Sequence, residues 1–592
     1  LGDVYKRQIF NYEIYSQLSF IDFIYPLIYG LRFDFSTVLI VNSIFIICSL
    51  VPVRIKLYDF FLKVIFVTTN FIAIALNIID LEFFKFNGKK LTVDIFGIAR
   101  DMGDQSFQII FYYWYFVGLI ILTGVFYWKF YPELGKYKNP RVIRLRFTPL
   151  IALISLILTF VGIRGGIQIR SISPKQAYIF KHYDLGHLAM NSTYTLIRSL
   201  ESEETKKISF FKNDDIAIRN IKNEKQEKLD FKGVARSNVI IIILESFSQE
   251  YINEGYAPFL NKLFKKGLYF DKNFANGRRS IEALPSILVG MPSLLDTPLY
   301  QSQYQTNHFK SLASVLNKKG YNSSFFHGGK TGTMDFDAYT LSIGFSKYYG
   351  MEDYPDQKHF DGSWGIYDDK FLNFFGDKLD QNKKPFLSVL FTLSSHQPYS
   401  IPKEFQGKFP KGTLEIHESI GYVDESLRLF FIKNKNKDWF ENTLFIITAD
   451  HTQKTKGLKF NSTLGKYRVP LFFYHPNFDF KEVNSKQVTQ HVDILPSVLD
   501  FLNLEQDKNL LYGRSVMSSI SAPILNSING SYILLKDNQM IRMNGEKATI
   551  FDISDDLLTE KLSRERGEEL EVLLKSYIQY SVNGLIRNDL YK

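Results

Sequence analysis

Five side chains able to hold a metal ion or move a proton stand directly after apolar runs. They are Glu245 after "NVIIIIL", His327 after "YNSSFF", His396 after "LSVLFTLSS", and Asp450 with His451 after "TLFIITA". Runs of this kind, near 238–244, 321–326, 386–393, 443–448 and 468–474, read as buried strands. Helical patterns at 258–266, 308–319 and 421–433 lie between them, which predicts a largely parallel sheet covered on both faces. In such sheets the ligand site lies beyond the carboxyl ends of the strands. Carboxylate and imidazole groups would therefore converge on one edge, a composition suited to a metal ion. Taken singly, each has a plainer reading, as a surface residue or a helix-capping neighbour.

The segment "NFANGRRSIEALPSILVG" (273–290) adds a hydroxyl. Ser280 precedes a helical pattern, where free backbone N–H groups and the helix dipole favour phosphate oxygens. Arg278 and Arg279 would add charge and bidentate contacts. A hydroxyl bound to a metal becomes a nucleophile near neutral pH. Alone, Ser280 reads equally as an ordinary helix N-cap.

These elements occupy the second half of a 592-residue chain. The first part is different. Stretches at 36–53, 61–79, 107–128 and 147–163 are long and apolar enough to cross a bilayer. A further one near 16–31 is interrupted by Asp22, and the chain opens on Leu1, so an upstream N-terminus is expected. "FYYWYF" and "FYW" place aromatic rings at both ends of the third stretch, as an interfacial belt would. Residues 129–146 carry six Lys and Arg against the single acid Glu133, and Arg54 and Lys56 follow the first long stretch. The positive-inside rule puts both basic loops in the cytoplasm and everything from about 164 outside.

The net charge of +10 is therefore read as topological, and no nucleic-acid partner is expected. Cys48, the single cysteine, excludes intramolecular disulfides and Cys-based zinc sites. The predicted organisation is a membrane domain over 1–163, an extracytoplasmic linker over 164–236, a catalytic domain over 237–505 and a C-terminal subdomain over 506–592. In the last, 532–553 alternates around Asp537-Asn538 and Asn544-Gly545, which predicts a small antiparallel sheet, with a helix after it.

Together, "NVIIIILESFSQE", "GRRSIEALPS", "FFHGG", "TLSSHQPY", "TADHT", "RVPLFFYHP" and "HVDILPSVLD" resemble, in order, the lipoteichoic acid synthase-like branch of the alkaline phosphatase/sulfatase superfamily. "GLRFDFS" and "GIRGGIQIR" resemble that family's membrane-half signatures. The resemblance implies one divalent metal, most often manganese, with Mg or Zn as alternatives. It implies Glu245, Asp450 and His451 as ligands, and Ser280, five residues before Pro285, as both ligand and nucleophile. His327 and His396 match histidines that contact the transferred phosphate or protonate a leaving group.

Two departures qualify this. Synthases that polymerise glycerol phosphate carry an Asp, a Trp and an Arg where this chain has Gly329, Met334 and Phe336. Lys330 is a candidate replacement charge, or a solvated loop lysine. The formylglycine-type sulfatase pattern is absent around Ser280. The expected function is a multi-pass enzyme of the bacterial plasma membrane, transferring a phospholipid head group through a phospho-serine intermediate. The acceptor would be a glycan or lipid. The alternatives are a phosphoethanolamine transferase, a phosphodiester or sulfuric ester hydrolase, or an inactive lipid-binding regulator.

Overall fold

The computed structural model describes residues 20–51, 55–87, 90–93, 95, 114–131, 148–168, 171–178, 180, 184–200, 207–223, 231–295, 297–505, 511–517, 522–528, 531–553, 560–562 and 567–590. The chain forms two compact units, Leu1–Lys206 with Ser302–Asn307, and Lys207–Gln301 with His308–Lys592.

The first unit is helical. Its described helices include Phe20–Val41, Ser43–Ser49, Lys56–Asn87, Trp114–Phe130 and Thr148–Ile163. Two are long and apolar enough to cross a membrane, over Ile24–Val41 and Lys56–Leu81, and Trp114–Phe130 and Pro149–Ile163 are shorter apolar helices. The expected division between 16–31 and 36–53 falls elsewhere: one helix runs through Arg32 and Asp34 and breaks at Asn42. Both polar residues have partners that allow this. Arg32 Nε donates to Gly165 O (2.8 Å), and Asn191 Nδ2 donates to Asp34 Oδ1 (2.8 Å). Ser36 Oγ donates to Ile163 O (2.6 Å), so "GLRFDFS" and the start of "GIRGG" are bonded to each other. A fully buried ion pair, Lys90 Nζ to Asp80 Oδ2 at 3.2 Å, is completed by Ser192 Oγ (2.6 Å) and Leu91 N (2.7 Å). Most of the basic loop at 129–146, the 107–113 part of the third expected span and Arg54 lie outside the described residues.

The second unit is an α/β domain. Its strands are β1 (Asn238–Leu244), β2 (Leu268–Phe270), β3 (Asn273–Phe274), β4 (Asn322–His327), β5 (Lys347–Tyr349), β6 (Phe386–Phe391), β7 (Thr443–Ala449), β8 (Leu471–Tyr474) and β9 (Thr489–Gln490). Seven form one sheet in the order β2-β8-β7-β1-β6-β4-β5. Pairings from β7 through β5 are parallel, and β8 is antiparallel to both β7 and β2. β1 sits centrally with every residue buried, which is why its sequence is an unbroken aliphatic run. β2 and β5 are three residues each, too short to register as periodic patterns.

Five further strands, β10 (Ile524–Ile528), β11 (Ser531–Lys536), β12 (Gln539–Asn544), β13 (Lys547–Ile553) and β14 (Glu560–Leu562), form a purely antiparallel sheet. Asp537 and Asn538 both have positive φ, the backbone that a two-residue hairpin turn requires. The closing helix, Glu568–Arg587, packs against Asp214–Asn223. Gln579 Nε2 and Asn583 Nδ2 donate to Asp214 Oδ1 (2.7 and 2.8 Å), and Arg587 pairs with Asp214 Oδ2. Residues 207–223, expected within a linker, thus fold with the catalytic unit, because this polar cluster and Ala217 and Ile221 bury together.

Candidate active site

Parallel register decides which side chains meet. Leu244 of β1 pairs with Ala449 of β7, so the next residues, Glu245 and Asp450, leave the sheet side by side. Asp450 Oδ1 accepts the backbone N–H groups of Ser246 (2.8 Å) and His451 (2.7 Å). Ser246 has φ +57, a backbone strain that persists where surrounding structure holds it. Thr392 Oγ1 accepts from Glu245 N (2.9 Å) and Ser395 Oγ donates to Glu245 O (2.5 Å), so the segment just after β6 clamps the end of β1.

Ligand atoms of Glu245, Asp450 and His451 lie within 4.8 Å of one another. His451 Nδ1 is 2.9 Å from Thr452 O, and a carbonyl only accepts, so the proton is on Nδ1 and the Nε2 lone pair points inward. That nitrogen stands 3.2 Å from Asp450 Oδ2 and 3.9 Å from Glu245 Oε1. Asp450 Oδ2 is buried without a hydrogen-bond partner. Three electron-rich atoms facing one another in a buried space are mutually repulsive unless a cation lies between them, so this donor set fits a divalent metal. Burial, then the Asp450 carboxylate, push the Glu245 carboxyl well above the usual range, a cost that a bound cation offsets.

Ser280 begins the helix Ser280–Val289, and its Oγ donates to Glu245 Oε2 at 3.5 Å. Gly277 makes the approach possible: a Cβ there would lie 2.4 Å from Glu282 Cβ. Glu282 in turn accepts from Arg278 N (2.7 Å) and Arg279 Nε (2.8 Å). The Arg279 side chain is 52% exposed and paired with Glu282, whereas Arg278 lines a cleft of about 490 Å³ with His451, Lys454 and Lys466.

His327 ends β4, buried, with Nε2 unpartnered. Burial pulls it down to about 4, so it is neutral at physiological pH. His396 is partly exposed, with Nδ1 2.9 Å from Gln397 O. Lys330 is exposed and lies over the Phe360 ring at 5.7 Å. Phe336 is fully buried, with its ring 5.2 Å from that of His327. His491 is buried and bonds Ala449 O through Nε2 (2.8 Å) and Asn276 N through Nδ1 (3.4 Å), tying β7 to the Ser280 segment. Trp364, 4.3 Å from His396 between ring centroids, carried no sequence signal, because the loop that holds it has no periodicity.

Residues 237–504 match the sulfatase family model. This stretch is therefore a sulfatase domain, an enzyme domain of the alkaline phosphatase/sulfatase superfamily. The chain is similar to lipoteichoic acid synthase 1 of Bacillus subtilis, 26% identical over 486 residues that cover 74% of this chain and 73% of the relative. It is also similar to lipoteichoic acid synthase of Staphylococcus aureus, 23% identical over 465 residues, covering 71% and 68%. Among solved structures, an alkaline phosphatase superfamily protein from Vibrio parahaemolyticus has TM-score 0.57 at 20% identity, covering 64% of this chain and 98% of that one. The lipoteichoic acid synthase LtaP from Listeria monocytogenes has TM-score 0.53 at 19% identity, covering 62% and 97%. These two share the fold.

Proposed function

We propose that the chain is a membrane-anchored, divalent-metal-dependent phosphotransferase acting on a phospholipid head group. The observation that carries this reading is the convergence of Glu245, Asp450 and His451 within 4.8 Å, with the Ser280 hydroxyl donating to Glu245. These residues would hold one metal ion, with Mn²⁺ the first choice and Mg²⁺ or Zn²⁺ the alternatives. When bound, the ion would stabilise negative charge on the phosphoryl oxygens and the serine oxygen.

Ser280 Oγ gives its proton to Glu245 Oε2, to which it donates, and forms a bond to phosphorus as the phosphorus–oxygen bond to diacylglycerol breaks; Glu245 returns that proton when Ser280 is later released. His396 gives the departing oxygen its proton. Its Nδ1–H stays on Gln397 O, so donation from Nε2 leaves a neutral ring with a lone pair on that nitrogen. That lone pair then takes the proton of an acceptor hydroxyl or water, which attacks phosphorus and releases Ser280. His327, neutral and buried, would orient a phosphate oxygen by donating from Nε2, which requires its single proton to sit there and not on Nδ1, 3.5 Å from Phe391 O. Arg278, Lys454 and Lys466 give the neighbouring cleft the charge an anionic head group requires.

The multi-pass membrane arrangement, with the catalytic domain extracytoplasmic, rests on the basic loops and on helices whose outward residues, such as Leu122, Val125, Leu158 and Phe160, are apolar and exposed. A glycan or lipid hydroxyl is the acceptor this arrangement favours. Burial of Phe336 at a position where glycerol phosphate polymerases carry an Arg favours a second reading of the donor, in which the head group is not glycerol phosphate and phosphoethanolamine or hydrolysis takes its place.

The test is intact mass of the full-length chain in detergent with manganese and, separately, phosphatidylglycerol or phosphatidylethanolamine micelles. A mass adduct or diacylglycerol release that Ser280→Ala abolishes is expected, and the productive micelle names the donor. No adduct and no turnover with either lipid, despite bound metal, would sink the lipid reading.

A further inference from the structure

The turn from 361 to 366 touches both histidine-bearing segments. Asp361 Oδ1 accepts three successive backbone N–H groups, from Ser363 (2.8 Å), Trp364 (2.7 Å) and Gly365 (3.1 Å). Asp361 N returns a bond to Gly365 O (2.8 Å), which closes the turn. Ile366 N donates to Gly328 O (3.0 Å), and Gly329 and Gly365 form an antiparallel bridge, so the turn is fastened to the chain just after His327. Only glycine fits at 365, since a Cβ there would lie 2.1 Å from Gly328 O.

On its other side the turn carries Trp364. Its indole Nε1 donates to Gln397 O at 2.7 Å, and its ring meets the His396 ring edge to face, at 4.3 Å and 60°. The same carbonyl takes His396 Nδ1–H at 2.9 Å. A carbonyl oxygen has two lone pairs, so one Gln397 oxygen accepts both N–H groups and ties the two rings to a common point. Imidazole rotation would break its hydrogen bond and strike the indole face.

We infer that Trp364 is a positioning residue for His396, holding its imidazole with the proton on Nδ1 and Nε2 directed to the reacting oxygen. The inference rests on the acid–base role given to His396 above. Trp364 acts through that ring and not as a wall for the substrate. Its effect therefore falls on kcat and disappears when the imidazole is absent.

The experiment compares full-length wild type with Trp364→Phe, Trp364→Ala, His396→Gln and the Trp364→Ala/His396→Gln double variant, using manganese and the micelle donor that wild type turns over. Trp364→Ala should lower kcat by about tenfold or more with KM within about twofold, and Trp364→Phe should fall between it and wild type. The double variant should be no slower than His396→Gln. A double variant carrying the product of both losses, or a raised KM with kcat intact, overturns the inference.

A second readout needs no turnover: the rate at which diethyl pyrocarbonate modifies His396, followed by peptide mass spectrometry. Trp364→Ala should raise the His396 rate by at least about threefold, with His308 unchanged and buried His475 and His491 still protected as a check on folding. An unchanged His396 rate overturns the inference. If wild type turns over neither lipid, the proposed function fails while this labelling still decides the positioning role.

Discussion

His451 Nε2 stands 3.2 Å from Asp450 Oδ2, an oxygen that is buried and accepts no hydrogen bond. Since Thr452 O holds the ring proton at Nδ1, two lone pairs face each other across that gap. That arrangement fits a third, positive partner, the divalent ion proposed above.

Removing either side of that contact should therefore remove a metal ion. Elemental analysis of the full-length chain should give about one equivalent for wild type and under about a tenth for Asp450→Ala or His451→Ala. Saturating wild type at about 100 times Kd should stabilise it by about 2.7 kcal/mol, read as a rise in Tm that both variants lack. Full metal content in Asp450→Ala would refute the site.

Acid should weaken the fold through His327. Burial holds this imidazole at about 4, against about 6.5 for an unfolded chain. The unfolded state thus binds the extra proton first. The contribution is complete above about pH 6.5 and is lost as pH falls toward 4, on the order of 3 kcal/mol in all. The drop in Tm between pH 7.5 and pH 5 should be smaller in His327→Gln than in wild type, and equal drops would acquit His327.

His491→Ala should destabilise by about 1 to 3 kcal/mol, because Ala449 O and Asn276 N are left buried without their partner. Metal affinity should fall as well, since Ala449 precedes Asp450 and Asn276 lies on the segment that delivers Ser280. Calorimetric metal titration separates the two effects. A lower Tm with unaltered affinity would confine His491 to packing.

Lys454→Ala and Lys466→Ala should each raise KM for an anionic micelle several-fold and leave kcat within about twofold, because they line the cleft beside His451 without touching the ligand cluster. The effect should shrink as salt is raised. A KM that ignores both salt and these substitutions would place the head group elsewhere.

Much of the catalytic unit was legible because its chemistry follows its hydrophobic runs. Glu245 and Asp450 are each the first residue past a fully buried strand, and parallel pairing of Leu244 with Ala449 makes them neighbours. The hairpin at Asp537-Asn538 was legible for a similar reason, since few residues adopt positive φ readily. Other features leave no periodic trace. Trp364 reaches His396 from an irregular turn, and its importance lies in backbone hydrogen bonds that no residue pattern encodes. In the first unit, hydropathy divided the chain at Arg32 and Asp34, yet the helix continues because Gly165 O and Asn191 supply those side chains with partners far away in sequence. The helix 368–380 was missed because its polar positions, Asp368 and Asp369, are buried: Asp368 accepts from Leu393 N and Ser394 N (both 2.9 Å).

The pairing of Asp214–Asn223 with the closing helix Glu568–Arg587 brings the incoming and outgoing ends of the catalytic unit into contact. A pull applied to the chain at residue 207 would first have to peel Asp214 from Gln579, Asn583 and Arg587 before any tension reached β1. Tension entering along the chain would thus be absorbed at a helix pair remote in sequence from Glu245, and the strand that aims the carboxylate would stay in register.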